Sequence, residues 1–154
     1  MLDYYANVAE IIGVVLVVVT LVFLTMQIRQ NTRAIRSTTI QAVMQSEMAL
    51  SKILADNSAI WEKVLTAAPL QDGEEKRRAI VVYNVFMIDT ETRYHQFKAG
   101  YLYEASWEGR LNILPEVIEL PIFGPWRRSF GGARHSTDFL ELIDGMAKEK
   151  QRHE

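Results

Sequence analysis

The sequence contains no cysteine, and this absence excludes several kinds of site. Disulfide bonds, thiolate nucleophiles and zinc or iron–sulfur sites with cysteine ligands all need the missing residue. The formal net charge of −2 is too small to indicate a polyanionic partner. Hydrophobic residues make up 49% and charged residues 23%, the balance of a globular chain, and 154 residues leave room for one domain, or a smaller one with an appendage.

Charge is also missing from one long stretch near the N-terminus. Residues 11–28 include no Asp, Glu, Lys or Arg and consist mainly of Ile, Val, Leu, Phe and Met. As a helix rising about 1.5 Å per residue, the stretch would be roughly 27 Å long, close to the hydrocarbon thickness of about 30 Å. A core helix of a soluble domain would normally interrupt such a run with a polar face. We therefore predict a transmembrane helix over residues 8–28.

A cleaved signal peptide is the main alternative for this stretch. That interpretation needs a positively charged start and a small-residue cleavage site. The chain instead begins with an acid, Asp3, and no Ala-x-Ala pattern follows the apolar run. The segment is therefore predicted to be an uncleaved anchor.

Lys and Arg are absent before residue 29, and three arginines follow the run directly, namely Arg29, Arg33 and Arg36. The positive-inside rule then predicts that the C-terminal side lies in the cytoplasm and that residues 1–7 form a short extracytoplasmic N-terminus. The arginines could bind anionic lipid headgroups at the membrane surface. The alternative is that they are a stop-transfer signal and nothing more.

Beyond these arginines, apolar residues recur at spacings of three and four, which is typical of amphipathic helices. The predicted fold is all-α: one N-terminal transmembrane helix continues, to about Asp56, into a small cytoplasmic helical bundle. This domain covers residues 29–150, with residues 151–154 as a tail. A long helix is predicted from Glu74 to Ala99, with Gly100 as its C-cap. Pro115 is expected in the first turn of a new short helix.

The middle of the helix after Glu74 is ambiguous. Residues 79–88 are almost unbroken in their apolar character and rich in valine, so they could equally form a buried strand. We predict a helix because no second strand candidate exists to pair with them and both flanks have a helical pattern. A helix that is apolar on nearly every side is surrounded by others, so this one should lie at the centre of the domain.

Four polar residues form a candidate cluster on this central helix: Asp89, Glu91, Arg93 and His95. Glu91 and His95 are four residues apart and share a face, so the carboxylate could orient the imidazole as a base, or both could bind a metal. The repeated Glu-x-x-His of di-iron bundles and the His-Glu-x-x-His of zincins are absent. The structural alternative is a hydrogen-bonded patch, with pairs such as Asp89 and Arg93. We predict no catalytic residue, no metal and no cofactor.

The second candidate site is the basic turn, residues 126–135, with the sequence WRRSFGGARH. No acid occurs between residues 122 and 137, so the arginines have no local counter-charge. Arginine forks suit phosphate or carboxylate, and a glycine pair can turn backbone N–H groups toward an anion. Anion or partner binding is predicted for Trp126, Arg127, Arg128 and Arg134. The alternative is a tryptophan in the core beside a solvated turn, or arginines paired with acids such as Glu116, Glu119 and Glu141.

Several motifs resemble a known group of proteins. They are the anchor followed by QIRQNTRAIR, Asn57 and Trp61 in one helix, Glu91, Tyr94 and Gly100 ahead of Trp107, and PIFGPWRRSF at residues 121–130. Over nearly the whole chain they resemble a widespread set of uncharacterised bacterial single-span membrane-anchored helical proteins, and a domain of unknown function found in actinobacteria. The resemblance implies this architecture in a bacterial inner membrane and adds no activity.

The sequence is thus most compatible with a non-catalytic interaction, scaffold or accessory subunit at the cytoplasmic membrane face. Its expected partners are membrane lipid and either a protein partner or further copies of the chain. Nucleic acid is not expected, because a wider basic surface is missing. The alternative is a membrane-tethered enzyme or a sensor of a small ligand or anion, using Glu91, His95 and the Trp126–Arg128 region.

Overall fold

The computed structural model describes residues 2–71, 73–131 and 134–150. Every regular element among them is helical and none is a strand, which confirms the all-α prediction. The predicted tail at residues 151–154 lies outside the described residues. Contacts between Cα atoms divide the chain into two compact units, one ending at Thr38 and the other beginning at Thr39.

The first helix, α1 (Leu2–Asp56), has residues in both units. In the first unit, every side chain from Ile11 to Ile28 is exposed. The hydroxyls of Thr20 and Thr25 donate hydrogen bonds to the carbonyls of Leu16 and Leu21, four residues earlier. By length and composition, α1 is the one helix in the described part of the chain that could cross a membrane.

The second unit adds five α-helices to the end of α1. Their bounds are α2 (Ser58–Leu65), α3 (Glu74–Lys98), α4 (Glu104–Glu119), α5 (Phe123–Trp126) and α6 (Thr137–Lys150). A π-helical turn at Arg127–Gly131 continues α5. Helix α3 packs against α2, α4 and α5, in agreement with its predicted central place.

The middle of α3, residues 79–88, is helical rather than extended, which resolves the ambiguity of its apolar run. Its buried residues pack with those of α4 and α6 in the main core, which includes Tyr83, Met87, Leu114, Trp126, Phe139 and Ile143. The Tyr83 hydroxyl donates to the Val117 carbonyl at 3.0 Å, and burial raises the pKa of Tyr83. A smaller core of Val43, Leu102 and Trp107 joins the end of α1 to α4.

The prediction for Pro115 is wrong, whereas that for Gly100 is confirmed. Pro115 lies inside α4 near its C-terminal end instead of starting a new helix. Gly100 follows α3 with φ of 74°, the left-handed conformation that glycine adopts without a steric penalty.

Candidate functional site

The polar residues predicted on α3 separate into two clusters. Asp89 and Glu91 are two positions apart, about 200° around a helix, so their side chains leave α3 on different sides. Asp89 and Arg93 point toward α1 and α4, whereas Glu91 and His95 contact the segment that precedes α6. The structure therefore places Asp89 and Arg93 in one cluster and Glu91 and His95 in another, and does not bring all four residues together.

The Asp89 cluster consists of Ser46, Glu47, Asp89, Arg93 and Arg110. The Asp89 carboxylate accepts hydrogen bonds from Ser46 Oγ at 2.7 Å, Arg93 Nε at 2.8 Å and Arg110 NH2 at 2.6 Å. Arg93 also donates to Glu47. The side chains of Asp89, Arg93 and Arg110 are only 5–8% exposed, whereas that of Glu47 is 51% exposed. The predicted Asp89–Arg93 pair thus exists, but in the interior.

Burial has an unfavourable effect on the charge of Arg110. Burial lowers the pKa of Arg110, the carboxylates of Asp89 and Glu47 oppose that effect, and the nearby charge of Arg93 adds to it. The guanidinium also lies over the ring of Phe86, 4.7 Å from its centroid. Because arginine stays protonated in proteins, Arg110 is a buried cation that nearby anions must stabilise.

Beside this cluster, α1, α3 and α4 border an open cleft of about 320 Å³. Its polar lining consists of two serines and three charged residues, namely Ser51, Ser106, Glu47, Arg93 and Arg110. Apolar side chains from the three helices line the rest, namely Leu50, Leu54, Phe86 and Ile113. The cleft thus combines guanidinium groups with a hydrocarbon surface, the composition of many small-molecule sites.

The His135 cluster, on the other side of α3, consists of Asn84, Glu91, Trp126, His135 and Ser136. Trp126 Nε1 donates to Asn84 Oδ1 at 3.0 Å, and His135 Nε2 lies 3.2 Å from the same oxygen. His135 Nδ1 lies 2.6 Å from Glu91 Oε2. The other Glu91 oxygen accepts from the Ser136 backbone N–H at 2.6 Å.

The two partners of the His135 ring are both oxygen atoms. An indole N–H can only donate, so the Asn84 atom that it meets is an acceptor, and a carboxylate likewise only accepts. Both ring nitrogens of His135 therefore face an oxygen, of Glu91 on one side and of Asn84 on the other. The His135 side chain has no exposed surface. The cluster is a closed network in which the buried groups satisfy one another.

Glu91 is held as a carboxylate in this network. Burial by itself raises the pKa of Glu91, but hydrogen bonds from Ser136 and His135 outweigh it and leave the pKa below its usual value. His95 lies at the edge of the cluster, with Nε2 2.9 Å from Ser136 Oγ and 3.5 Å from Glu91 Oε1. The predicted shared face of Glu91 and His95 is present, with His95 half-exposed.

The residues of the basic turn have separate environments. Trp126 is fully buried and packs edge-to-face against Tyr83, so its ring cannot stack on a ligand in this structure. Arg127 forms two hydrogen bonds with Asp144, at 3.0 and 3.2 Å, an acid that the sequence interpretation did not consider. Arg128 and Arg134 are exposed. Anion or partner binding by these arginines stays a prediction.

Arg29, Arg33 and Arg36 are exposed on α1 within the first unit, and their contact with lipid headgroups stays a prediction. In the described residues, no three His, Asp or Glu side chains are grouped so that they could hold a metal ion.

Sequence reasoning missed Arg110, Glu47 and His135. Arg110 had a detectable signal, because it is spaced three residues after Trp107 and four before Leu114, on the apolar stripe of α4. A cation at a core position needs a buried anion, which would have pointed to Asp89. His135 stood in the basic turn without any pattern to mark it as buried.

Comparison with known proteins gives no relative: no family model, no curated protein and no solved structure matches the chain. The resemblance to bacterial membrane-anchored helical proteins therefore stays a prediction.

Proposed function

We propose that the chain is a single-pass protein of the bacterial inner membrane whose second unit is a non-catalytic interaction, scaffold or accessory domain. The observation that carries this proposal is the contrast between the units. Residues 11–28 expose every apolar side chain, whereas the unit from Thr39 has its own buried core. Exposed hydrocarbon over the thickness of a bilayer is stable in lipid and not in water.

The charge pattern supports a cytoplasmic location for the second unit. Arg29, Arg33 and Arg36 follow the apolar residues, and the preceding residues of this sequence include neither Lys nor Arg. Positive charge is retained on the cytoplasmic side during insertion.

The His135 cluster supports a role without catalysis. Both oxygens of Glu91 and both nitrogens of His135 have protein partners, and the His135 side chain has no exposed surface through which a substrate could reach it. Trp126 is buried and Arg127 is paired with Asp144. The alternative of an enzyme or sensor that uses Glu91, His95 and the Trp126–Arg128 region therefore has little geometric support.

A shallow apolar groove supports an interaction with another protein. It has a volume of about 430 Å³ and lies between the end of α1 and α2. Its apolar lining includes Leu54, Trp61 and Leu65, and Leu65 is 51% exposed. Water-exposed apolar surface of this kind is typical of protein–protein contact sites.

The absence of cysteine makes the topology directly testable. Single cysteines at Asn7 and Lys148, which are both exposed, would be treated in spheroplasts with a membrane-impermeant maleimide. We expect Asn7→Cys to be labelled and Lys148→Cys to be labelled only after lysis. The opposite pattern, or extraction of the protein by alkaline carbonate, would refute the single-pass cytoplasmic arrangement.

The interaction role is tested by extraction from native membrane in a mild detergent and measurement of particle mass. We expect a discrete stoichiometric complex, lost in Leu65→Glu and retained in Thr92→Glu, a matched change at an exposed polar position of α3. A lone protomer from the unaltered chain would contradict the proposal.

A further inference from the structure

The cleft bordered by α1, α3 and α4 contains hydrogen-bond donors that the protein does not use. Arg110 is more than nine-tenths buried, and its NH2 group donates to Asp89. The hydrogen bond and both ion pairs of Arg110 with described residues run through NH2, and none of them involves Nε or NH1. Arg110 lines the cleft, and a guanidinium group there suits an anion with hydrogen-bond acceptors.

The charge at the cleft is balanced, but one of the anions is replaceable. Arg93 and Arg110 face Asp89 and Glu47, two cations and two anions. Asp89 is enclosed by three donors, whereas Glu47 is half in water and can turn outward at little cost in hydration. Glu47 therefore occupies the position of a carboxylate that could come from outside.

The rest of the cleft lining is partly apolar, with Ser51 and Ser106 among the hydrocarbon side chains. Leu50, Leu54, Phe86 and Ile113 form the apolar part next to the guanidinium groups. At roughly 30 Å³ for each water-sized group, a volume of 320 Å³ holds about ten such groups. That is enough for a carboxylate with a short alkyl chain.

We propose that this cleft binds a small amphipathic monocarboxylate, whose head displaces Glu47 from Arg93 and accepts from Arg110 while its alkyl chain lies along Leu50 and Phe86. A monoanion restores the charge balance after Glu47 turns outward, whereas a dianion would exceed it. This site goes beyond the proposed interaction role and does not depend on it. Leu54 borders both the cleft and the α2 groove, whereas Leu65 lines the groove and not the cleft.

The direct test is calorimetric titration of octanoate into the full chain, reconstituted in nanodiscs of zwitterionic lipid, with empty nanodiscs as the reference for partitioning. Three probes separate the contributions of head and tail. Octanol has the tail without the charge, acetate has the charge without the tail, and octyl phosphate introduces a dianionic head. We expect saturable binding of octanoate and at least about tenfold weaker binding of the other three.

Two glycines provide a matched pair of variants. Gly109 of α4 lines the cleft and Gly145 lies on α6, and a Cβ added at either position meets no atom within 4 Å. Gly109→Leu fills the cleft without removing an ion pair, so octanoate binding should be lost. Gly145→Leu makes the same change outside the cleft and should bind octanoate as the unaltered chain does.

Glu47→Gln is predicted to bind octanoate more tightly, a gain that misfolding of the variant would not produce. Removing the competing carboxylate leaves Arg93 without its exposed anion, so octanoate should bind about tenfold more tightly. The proposal is overturned if octanoate shows no saturable binding, if octanol binds equally well, or if Gly109→Leu retains binding. Tighter binding of octyl phosphate would refute the assignment to a monoanion. Unchanged or weaker binding by Glu47→Gln would refute the displacement of Glu47.

Discussion

The Asp89 cluster and the His135 cluster start from neighbouring positions of α3 and differ in how their charges are satisfied. In the His135 cluster one carboxylate contacts one imidazole, and the ring nitrogens, the carboxylate oxygens and the indole N–H all have protein partners. In the Asp89 cluster two guanidiniums converge on one buried carboxylate, and the second carboxylate lies half in water. The difference shows that burial alone does not identify a binding site. A buried polar network is a candidate binding site when it also borders open space and has hydrogen-bond donors without protein partners.

The largest expected effect comes from neutralising the carboxylate shared by both guanidiniums. Asp89→Asn leaves Arg93 and Arg110 buried together without their common anion, and breaking a buried pair costs about 3–5 kcal/mol. Urea unfolding of the detergent-solubilised full chain would measure this loss by tryptophan fluorescence, since all three tryptophans lie in the second unit.

The control is the same substitution at a half-exposed pair. Asp144→Asn removes the partner of Arg127, where both side chains retain about a third of their exposure, and should cost no more than about 1 kcal/mol. Equal losses for the two variants would show that the Asp89 cluster is no more tightly coupled to folding than a surface pair.

An intermediate effect is expected for the closed network. Glu91→Gln removes the carboxylate that contacts His135 and Ser136 and weakens several hydrogen bonds, for an expected loss of about 1–3 kcal/mol at neutral pH. The loss should exceed that of Asp144→Asn and remain below that of Asp89→Asn in the same urea titration. A loss as large as that of Asp89→Asn would remove the proposed distinction between the clusters.

The pH dependence of Glu91 has a definite sign. Because the pKa of Glu91 is lowered in the folded protein, its contribution is complete above the unfolded value of about 4.3 and is lost as the pH falls through the lower folded value. Acidification from pH 7 to 3 should therefore reduce the stability difference between the unaltered chain and Glu91→Gln, as two series of urea midpoints would show. A difference that is constant over this range would contradict the assignment.

The smallest expected effect concerns the exposed pair of Lys98 and Asp138, which joins α3 to α6 beside the His135 cluster. Lys98 Nζ lies 2.7 Å from Asp138 Oδ2, and this hydrogen bond, with one from Ser136, lowers the pKa of Asp138 to about 2. Lys98→Met should raise the pKa toward the ordinary value of about 3.9 and change unfolding little. Carbon-detected NMR titration of the Asp138 carboxyl would measure it, and an unchanged pKa would show that Lys98 is not its main cause.

The helices of this protein could be predicted largely because their signals are local. An uncharged run from Ile11 to Ile28 has the length of a bilayer span, and the flanks of residues 79–88 favour helix over strand. Pro115 was misplaced because proline marks a helix start only statistically, and the packing of Leu114 and Val117 kept α4 continuous through it.

The candidate sites could be predicted only in part, because their partners come from distant segments. The spacing of Asp89 and Arg93 predicted their contact, but Ser46 and Arg110 reach Asp89 only through the packing of three helices. His135 is separated by 44 residues from Glu91 and by 51 from Asn84. A single sequence contains no periodicity that links such positions.

The hydroxyls of Thr20 and Thr25 donate back to carbonyls of their own helix, so the apolar stretch presents no polar ridge to its surroundings. Apart from Gly13, Thr20, Thr25 and Gln27, all its side chains are apolar, so no continuous polar stripe favours one rotation about the helix axis. Exchange of residues 11–28 for an unrelated apolar segment of equal length should therefore leave the choice of partner unaltered.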